Sequence, residues 1–141
     1  MIQNVVERKI MWGDLDALGI VFYPRYYEWI DASGHLFFDK LELNLGKLWS
    51  ERGIQFGLGE TICRYHRPGR YHQKIRIVTE IKSLASKRVD LSHQIYLCED
   101  NALLVDGLEK RICMDVSDPA HFHACQIPAD IVEILLRAAG D

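Results

Sequence analysis

The chain has 141 residues, of which 48% are hydrophobic, enough for one compact domain with a buried core. Its formal net charge of -3 excludes a global electrostatic pull toward nucleic acid or an anionic membrane, so any polyanion contact must be local. No apolar run approaches transmembrane length, and the charged opening stretch ending Glu7-Arg8-Lys9 lacks the run a signal peptide needs; the expected location is the cytoplasm, with no membrane partner.

Val5 to Met11 predicts a first strand, which runs into a turn-rich loop from Trp12 to Gly19. Pro24 suits a first helical position, and Phe22, Tyr26, Trp29, Ile30, Leu36 and Phe37 recur at spacings of three and four, marking an apolar stripe on a helix that reaches Lys40. Gly34 weakens that helix unless something packs closely there. Leu45 to Arg52 predicts a second, shorter helix stopped at Gly53. Thr61–His66, Lys74–Leu84, Val89–Glu99 and Ala102–Asp115 then read as strands of an antiparallel sheet, with a hairpin turn at Glu99-Asp100-Asn101. A short amphipathic helix from Pro128 ends the pattern. One long early helix followed by a run of strands is an α+β order, and with no repeat or linker in sight it predicts a single domain over residues 1–141.

Cys63, Cys98, Cys113 and Cys125 are scattered without a C-x-x-C pair, which fits reduced thiols better than a disulfide frame or a zinc knuckle. His121 and His123 with Cys125 lack the second ligand cluster of a structural metal site, so no metal and no cofactor is expected. The basic and aromatic residues of Arg64 to His72 interleave as in RNA binders, but read as a loop or sheet rim. No G-x-S-x-G is present, which argues against a serine hydrolase.

The chemistry concentrates between Gly13 and Asp31, where two aspartates, a flexible turn and a helix start share one stretch. The first amides of a helix have no intrahelical acceptor, so N–H groups near Tyr23 can hold an oxyanion at the positive end of the helix dipole. A carboxylate a few residues upstream, Asp16, could then attack a polarised carbonyl or deprotonate a water. The alternative is that Asp14 and Asp16 merely bond their own backbone in turns.

The stretch Gly13-Asp14-Leu15-Asp16-Ala17-Leu18-Gly19-Ile20-Val21-Phe22-Tyr23-Pro24-Arg25-Tyr26, with Trp29-Ile30-Asp31 after it, resembles the signature of the 4-hydroxybenzoyl-CoA thioesterase family of hotdog proteins. The resemblance continues through Glu51-Arg52-Gly53-Ile54 and the strands to about Pro128. It implies a hotdog fold, an antiparallel sheet of five or six strands wrapped around one long helix, in a homodimer or homotetramer. It implies an acyl-CoA substrate, with Asp16 as the catalytic carboxylate, in the nucleophile or base role, and the Tyr23 amide as the carbonyl-polarising donor. Asp14 becomes a turn-former. Asp31 is implied to face the ring substituent of a substrate bound across the dimer, against the simpler reading of an Asp31–His35 pair one helical turn apart. Ser86, Lys87 and Arg88 fall where the family places contacts to the CoA phosphates. Related thioesterases of the Tol-Pal system usually carry a histidine where this chain has Pro24, a departure that favours an aryl group. A hotdog dehydratase, with a histidine beside its acid, a non-catalytic acyl-CoA binder and an RNA-binding module remain the rival functions.

Overall fold

The computed structural model of the chain describes residues 1–140. In chain order it contains β1 (Asn4–Lys9), a 3-10 turn (Trp12–Asp14), α1 (Pro24–Lys40), α2 (Leu45–Lys47) running into a π-helical turn (Leu48–Arg52), β2 (Ile54–Tyr65), β3 (Lys74–Ala85), β4 (Arg88–Leu97), β5 (Leu103–Asp115), β6 (His123–Ala124) and α3 (Ala129–Ala138). The strands form one antiparallel sheet in the order β1-β3-β4-β5-β2, with β6 on the end of β5. This is the expected α+β architecture of a sheet around one long helix.

Local chemistry sets the helix ends. Pro24 occupies the first turn of α1, where its missing N–H is harmless. The Asn44 side chain accepts from the Lys47 amide at 3.0 Å to start α2, and Gly53, with φ +63, ends the segment in the left-handed region glycine adopts freely. Three expectations need correction. The strand β2 begins at Ile54 rather than Thr61, because Gly57 and Gly59, which interrupt the apolar pattern, are strand residues: a Cβ on Gly57 would meet Met114 Sδ, and one on Gly59 would meet Ile112 Cδ1, so the glycines make room for side chains of β5. The predicted stripe holds at Tyr26, Trp29, Ile30 and Phe37, all buried, but Leu36 of α1 is 44% exposed, Phe22 before the helix is 48% exposed, and Phe38, outside the predicted stripe, is fully buried. The two-residue β6 had no sequence signal.

The interior divides into two apolar clusters. One gathers Tyr26, Trp29 and Ile30 of the first half of α1 against Ile75, Ile77, Ile95 and Leu104. The other gathers Phe37 and Phe38 of the second half against Ile81, Leu91, Phe56 and Leu135 of α3. Each large side chain so buried contributes about 1.5–3 kcal/mol. Between the clusters lies a band of buried polar residues: Ser33, Thr79, His93, Glu109 and Arg111. Gly34 belongs to that band. A Cβ there would lie 2.7 Å from Arg111 Nη2 and 2.8 Å from Glu109 Oε1, so the close packing that would justify a mid-helix glycine exists, and it offsets a helix-propensity loss of about 1 kcal/mol relative to alanine.

All four cysteines are free thiols. Burial pushes the Cys63 thiol up to about 11 and Cys113, whose Sγ lies 3.6 Å from that of Cys125, up to about 12. No helix among the described residues is long and apolar enough to cross a membrane.

Candidate active site

The loop before α1 is a tight hairpin. The Asp16 amide donates to the Ile20 carbonyl at 2.8 Å, the Gly19 amide returns to Asp16 O at 3.0 Å, and Gly19 takes φ +77 to close the turn. The hairpin leans on the segment after β2, with the Val21 amide donating to Gly69 O at 2.9 Å. Asp14 is buried beneath it: its Oδ2 accepts from the Met11 amide at 2.8 Å, and its Oδ1 lies 3.3 Å from Arg25 Nε on the first turn of α1. Asp14 thus ties the loop to the helix, the turn-forming part implied for it.

Asp16 does two things. Its Oδ1 accepts from the Leu18 amide at 2.8 Å, the backbone turn of the simpler reading, yet the residue also lines a cavity of about 460 Å³ together with Tyr23, Tyr26, Tyr65 and His66. The turn bond engages one carboxylate oxygen, Oδ1.

The positive end of α1 borders the same cavity. The Phe22 amide donates to Asp14 O, the Arg25 amide to Phe22 O and the Tyr26 amide to Tyr23 O, while Pro24 has no N–H. Among the described residues the Tyr23 amide is the donor of this turn left without an acceptor, and Tyr23 lines the same cavity as Asp16. A carbonyl oxygen seated on that amide would be polarised by the N–H and by the dipole of a 17-residue helix, and Asp16 lines the same cavity.

The wall of the cavity is aromatic. Tyr26 is buried with its hydroxyl accepting from the Gly69 amide at 3.2 Å, and burial pushes its phenol up from the ordinary value. Its ring lies 5.9 Å from that of Tyr65, whose phenol is also pushed up by desolvation and by its bond to Tyr27. Tyr65, His66 and Arg67 were missed as site residues. They belong to the basic and aromatic stretch Arg64 to His72, read only as a rim; nothing local shows that a rim faces the helix tip. Arg67 pairs with Asp100 at 3.0 Å, and His72 follows with φ +69, its amide on Ile10 O.

The other sequence-predicted residues lie elsewhere. Asp31 is two turns along α1, at about 1.5 Å per residue some 12 Å from Tyr23 along the axis. Its Oδ1 lies 3.4 Å from His35 Nε2, the expected pair, and 3.0 Å from Arg111 Nη2, a partner no local pattern gave. Ser86 and Lys87 form the exposed turn between β3 and β4, and Arg88 sits beside it with Nε 2.9 Å from Asp90 Oδ1. This turn is at the far end of β3, the whole length of the strand from Lys74, whereas the Asp16 loop packs on the segment just before Lys74, through the Val21 amide on Gly69 O. One protomer does not bring Ser86, Lys87 and Arg88 to Asp16. His121 and His123 have ring centroids 5.6 Å apart, Cys125 turns to Cys113, and no group of three or more metal-ligating side chains comes together among the described residues.

Comparison with known proteins identifies the family. Residues 10–135 match the model of the thioesterase-like superfamily. The 4-hydroxybenzoyl-CoA thioesterase of Pseudomonas sp. (strain CBS-3) is 26% identical over 92% of this chain and 94% of its own length. Among solved structures, a gentisyl-coenzyme A thioesterase matches with a TM-score of 0.78 at 29% identity, covering 94% of this chain and 99% of its own. A mutant 4-hydroxybenzoyl-CoA thioesterase complexed with 4-hydroxybenzoyl-CoA matches with a TM-score of 0.87 at 25% identity, covering 94% of this chain and 98% of its own. Sharing sequence over most of its length and architecture throughout, the chain belongs to the thioesterase-like superfamily and carries the hotdog fold.

Proposed function

We propose that this chain hydrolyses an acyl-CoA thioester, of a benzoyl-type aromatic or short acyl group, to the free acid and CoA. It does so as a single cytoplasmic domain over residues 1–141, in a homodimer or homotetramer, without a cofactor. The observation that carries the reading is that Asp16 and the partnerless Tyr23 amide line one cavity at the positive end of α1. The Tyr23 N–H receives the thioester oxygen as negative charge grows on it, and Asp16 acts on the carbonyl carbon as nucleophile or through a water as base. The apolar, aromatic wall of Tyr26 and Tyr65 suits an aryl group. The substrate names of the relatives point the same way, to hydroxylated aromatic acyl groups.

Two distances favour an oligomer that shares its sites. Asp31 is about 12 Å along the helix from Tyr23, about twice the reach of a single aromatic ring, so an Asp31 that faces the ring substituent comes from a second copy. The same holds for phosphate contacts from Ser86, Lys87 and Arg88, which stand at the opposite end of the sheet. The unpaired outer edges of β1 and β2 offer backbone for pairing with another copy.

A thiol-trapping assay on a panel of CoA thioesters tests the proposal: free CoA should appear from benzoyl-type thioesters, and Asp16→Asn should lower turnover by two decades or more. Wild-type turnover in that variant refutes the assignment. One observation favours a second reading, since His66 shares the cavity with Asp16 as a dehydratase would require. Conversion of 3-hydroxyacyl thioesters without thiol release would establish it instead.

A further inference from the structure

Polar side chains of the buried band find partners of other kinds: His93 Nε2 lies 2.7 Å from Glu109 Oε1, and Arg111 Nη2 donates to Glu109 Oε2 at 2.9 Å. The thiols of Cys113 and Cys125 instead face each other, Sγ to Sγ at 3.6 Å. Their backbones are joined as well. β5 and β6 run antiparallel with Met114 opposite Ala124, so Cys113 and Cys125 stand on the next rung, and the Cys125 amide donates to Cys113 O at 2.9 Å. Cα atoms opposed in an antiparallel ladder lie about 4.5–5.5 Å apart, inside the span of about 4.4–6.8 Å that a disulfide bridges. Bringing the sulfurs from 3.6 Å to a bonded distance of about 2.0 Å therefore asks for side-chain rotation rather than movement of the strands.

The two thiols differ in access. Cys113 is fully buried, and burial, opposed by the nearby Arg52 guanidinium, keeps it a thiol up to about pH 12; Cys125 is half-buried, so a reagent from solvent meets it first. Cys63 on β2 and Cys98 just past β4 have no thiol within hydrogen-bonding distance among the described residues. The pair also sits where three segments meet. The Cys113 amide donates to Lys87 O at 2.8 Å, and the Ile127 amide, two residues past Cys125, donates to Ser86 O at 2.9 Å. The two stretches of chain that carry the thiols thus hold the turn between β3 and β4, and the second of them leads into α3.

We propose that Cys113 and Cys125 are a reversible dithiol–disulfide pair, oxidised by a peroxide, whose closure fastens the lead-in of α3 and the Ser86–Lys87 turn to β5. The Cys125 thiolate attacks one peroxide oxygen; the O–O bond breaks, a sulfenic acid forms on Cys125, and the departing hydroxide takes up the thiol proton as water. The Cys113 sulfur then attacks the sulfenic sulfur, the S–S bond forms, and hydroxide leaves with the Cys113 proton as a second water. Two thiols give up two electrons and the peroxide accepts them. A dithiol reductant reverses the reaction.

The test treats the full reduced chain with an equimolar amount of hydrogen peroxide and counts thiols in denaturant, with a peptide map of the product. Thiols should fall from four to two, with Cys113 and Cys125 peptides joined in one chain, and dithiothreitol should restore all four. The oxidised protein should melt about 5 °C or more above the reduced one, because the bond closes the segment from Met114 to Ala124 into a ring in the unfolded chain as well. Native hydrogen exchange at the Cys113 and Ile127 amides should slow. The double variant Cys63→Ser with Cys98→Ser should form the bond as the starting protein does, and Cys125→Ser should form none. If Cys113→Ser, at its buried position, does not fold, Cys125→Ser decides. A bond that involves Cys63 or Cys98, a bond between two chains, Cys125 oxidised without closure, or four thiols left unchanged overturns the pairing. A closed bond that lowers the melting temperature or leaves exchange at Cys113 and Ile127 as it was overturns the fastening. None of these outcomes depends on the thioesterase reading, which fails separately if no CoA is released.

Discussion

The loop that carries Asp16 and the band that ends at Asp31 meet the same helix eight residues apart, and they are built in opposite ways. The loop is held mostly by bonds between near neighbours: Met11 to Asp14, Leu18 to Asp16, Phe22 to Asp14. Its Asp16 borders open space. The band draws Thr79, His93, Glu109, Arg111 and Asp31 from four elements and is sealed from water at every member but the last. A group that must meet water and a substrate carbonyl needs an open cavity around it, while a group that must hold another in place gains from low dielectric and tight packing.

The contrast can be broken first on stability. Removing one partner from the band, as in Arg111→Met, leaves Glu109 buried without its cation and should lower the unfolding free energy in urea by about 3–5 kcal/mol. Replacing both, Glu109→Leu with Arg111→Met, should recover much of that loss; a double variant no more stable than the single one would show that the band stabilises the core. Asp16→Asn should behave in the opposite sense. Asparagine keeps an oxygen to accept from the Leu18 amide, so stability should move by less than about 1 kcal/mol while turnover falls by two decades, about 2.7 kcal/mol of activation free energy.

Smaller effects sharpen the comparison. Gly34→Ala improves helix propensity by about 1 kcal/mol but drives a methyl against Arg111 and Glu109, and overpacking of about 1–3 kcal/mol should dominate, giving a net loss in thermal unfolding. A gain would mean that the band yields easily. The smallest expected effect is in the thiols. Cys63, on β2 beside the first cluster, is pushed up to about 11 by burial from an ordinary value of 9.0, so between these values folding holds it protonated. Stability contributed by that burial is complete below pH 9 and is lost as pH rises through the window, and native Cys63 should alkylate more slowly than the same thiol in urea.

What the sequence determined by itself is what short-range physics determines. The bounds of α1, the stop at Gly53 and the turn at Glu99 to Asn101 follow from proline, glycine and asparagine chemistry over a few residues, and the meeting of Asp16 and Tyr23 at one cavity follows because only seven positions and one tight hairpin separate them. Tertiary structure decided the rest. That β2 starts at Ile54 depends on Met114 and Ile112 of β5 filling the space over two glycines, and that Phe38 rather than Leu36 is buried depends on how the sheet curls about α1. The separation of Ser86, Lys87 and Arg88 from Asp16 is set by the direction in which β3 runs. The polar band had one faint signal, since His93, Glu109 and Arg111 fall at the same strand parity as the buried Leu91, Ile95, Gly107 and Cys113. Alternation along a strand tells which residues turn inward; it cannot tell that an inward glutamate on β5 will find a histidine on β4 and an arginine two residues on, because those contacts exist only once distant segments have been brought side by side.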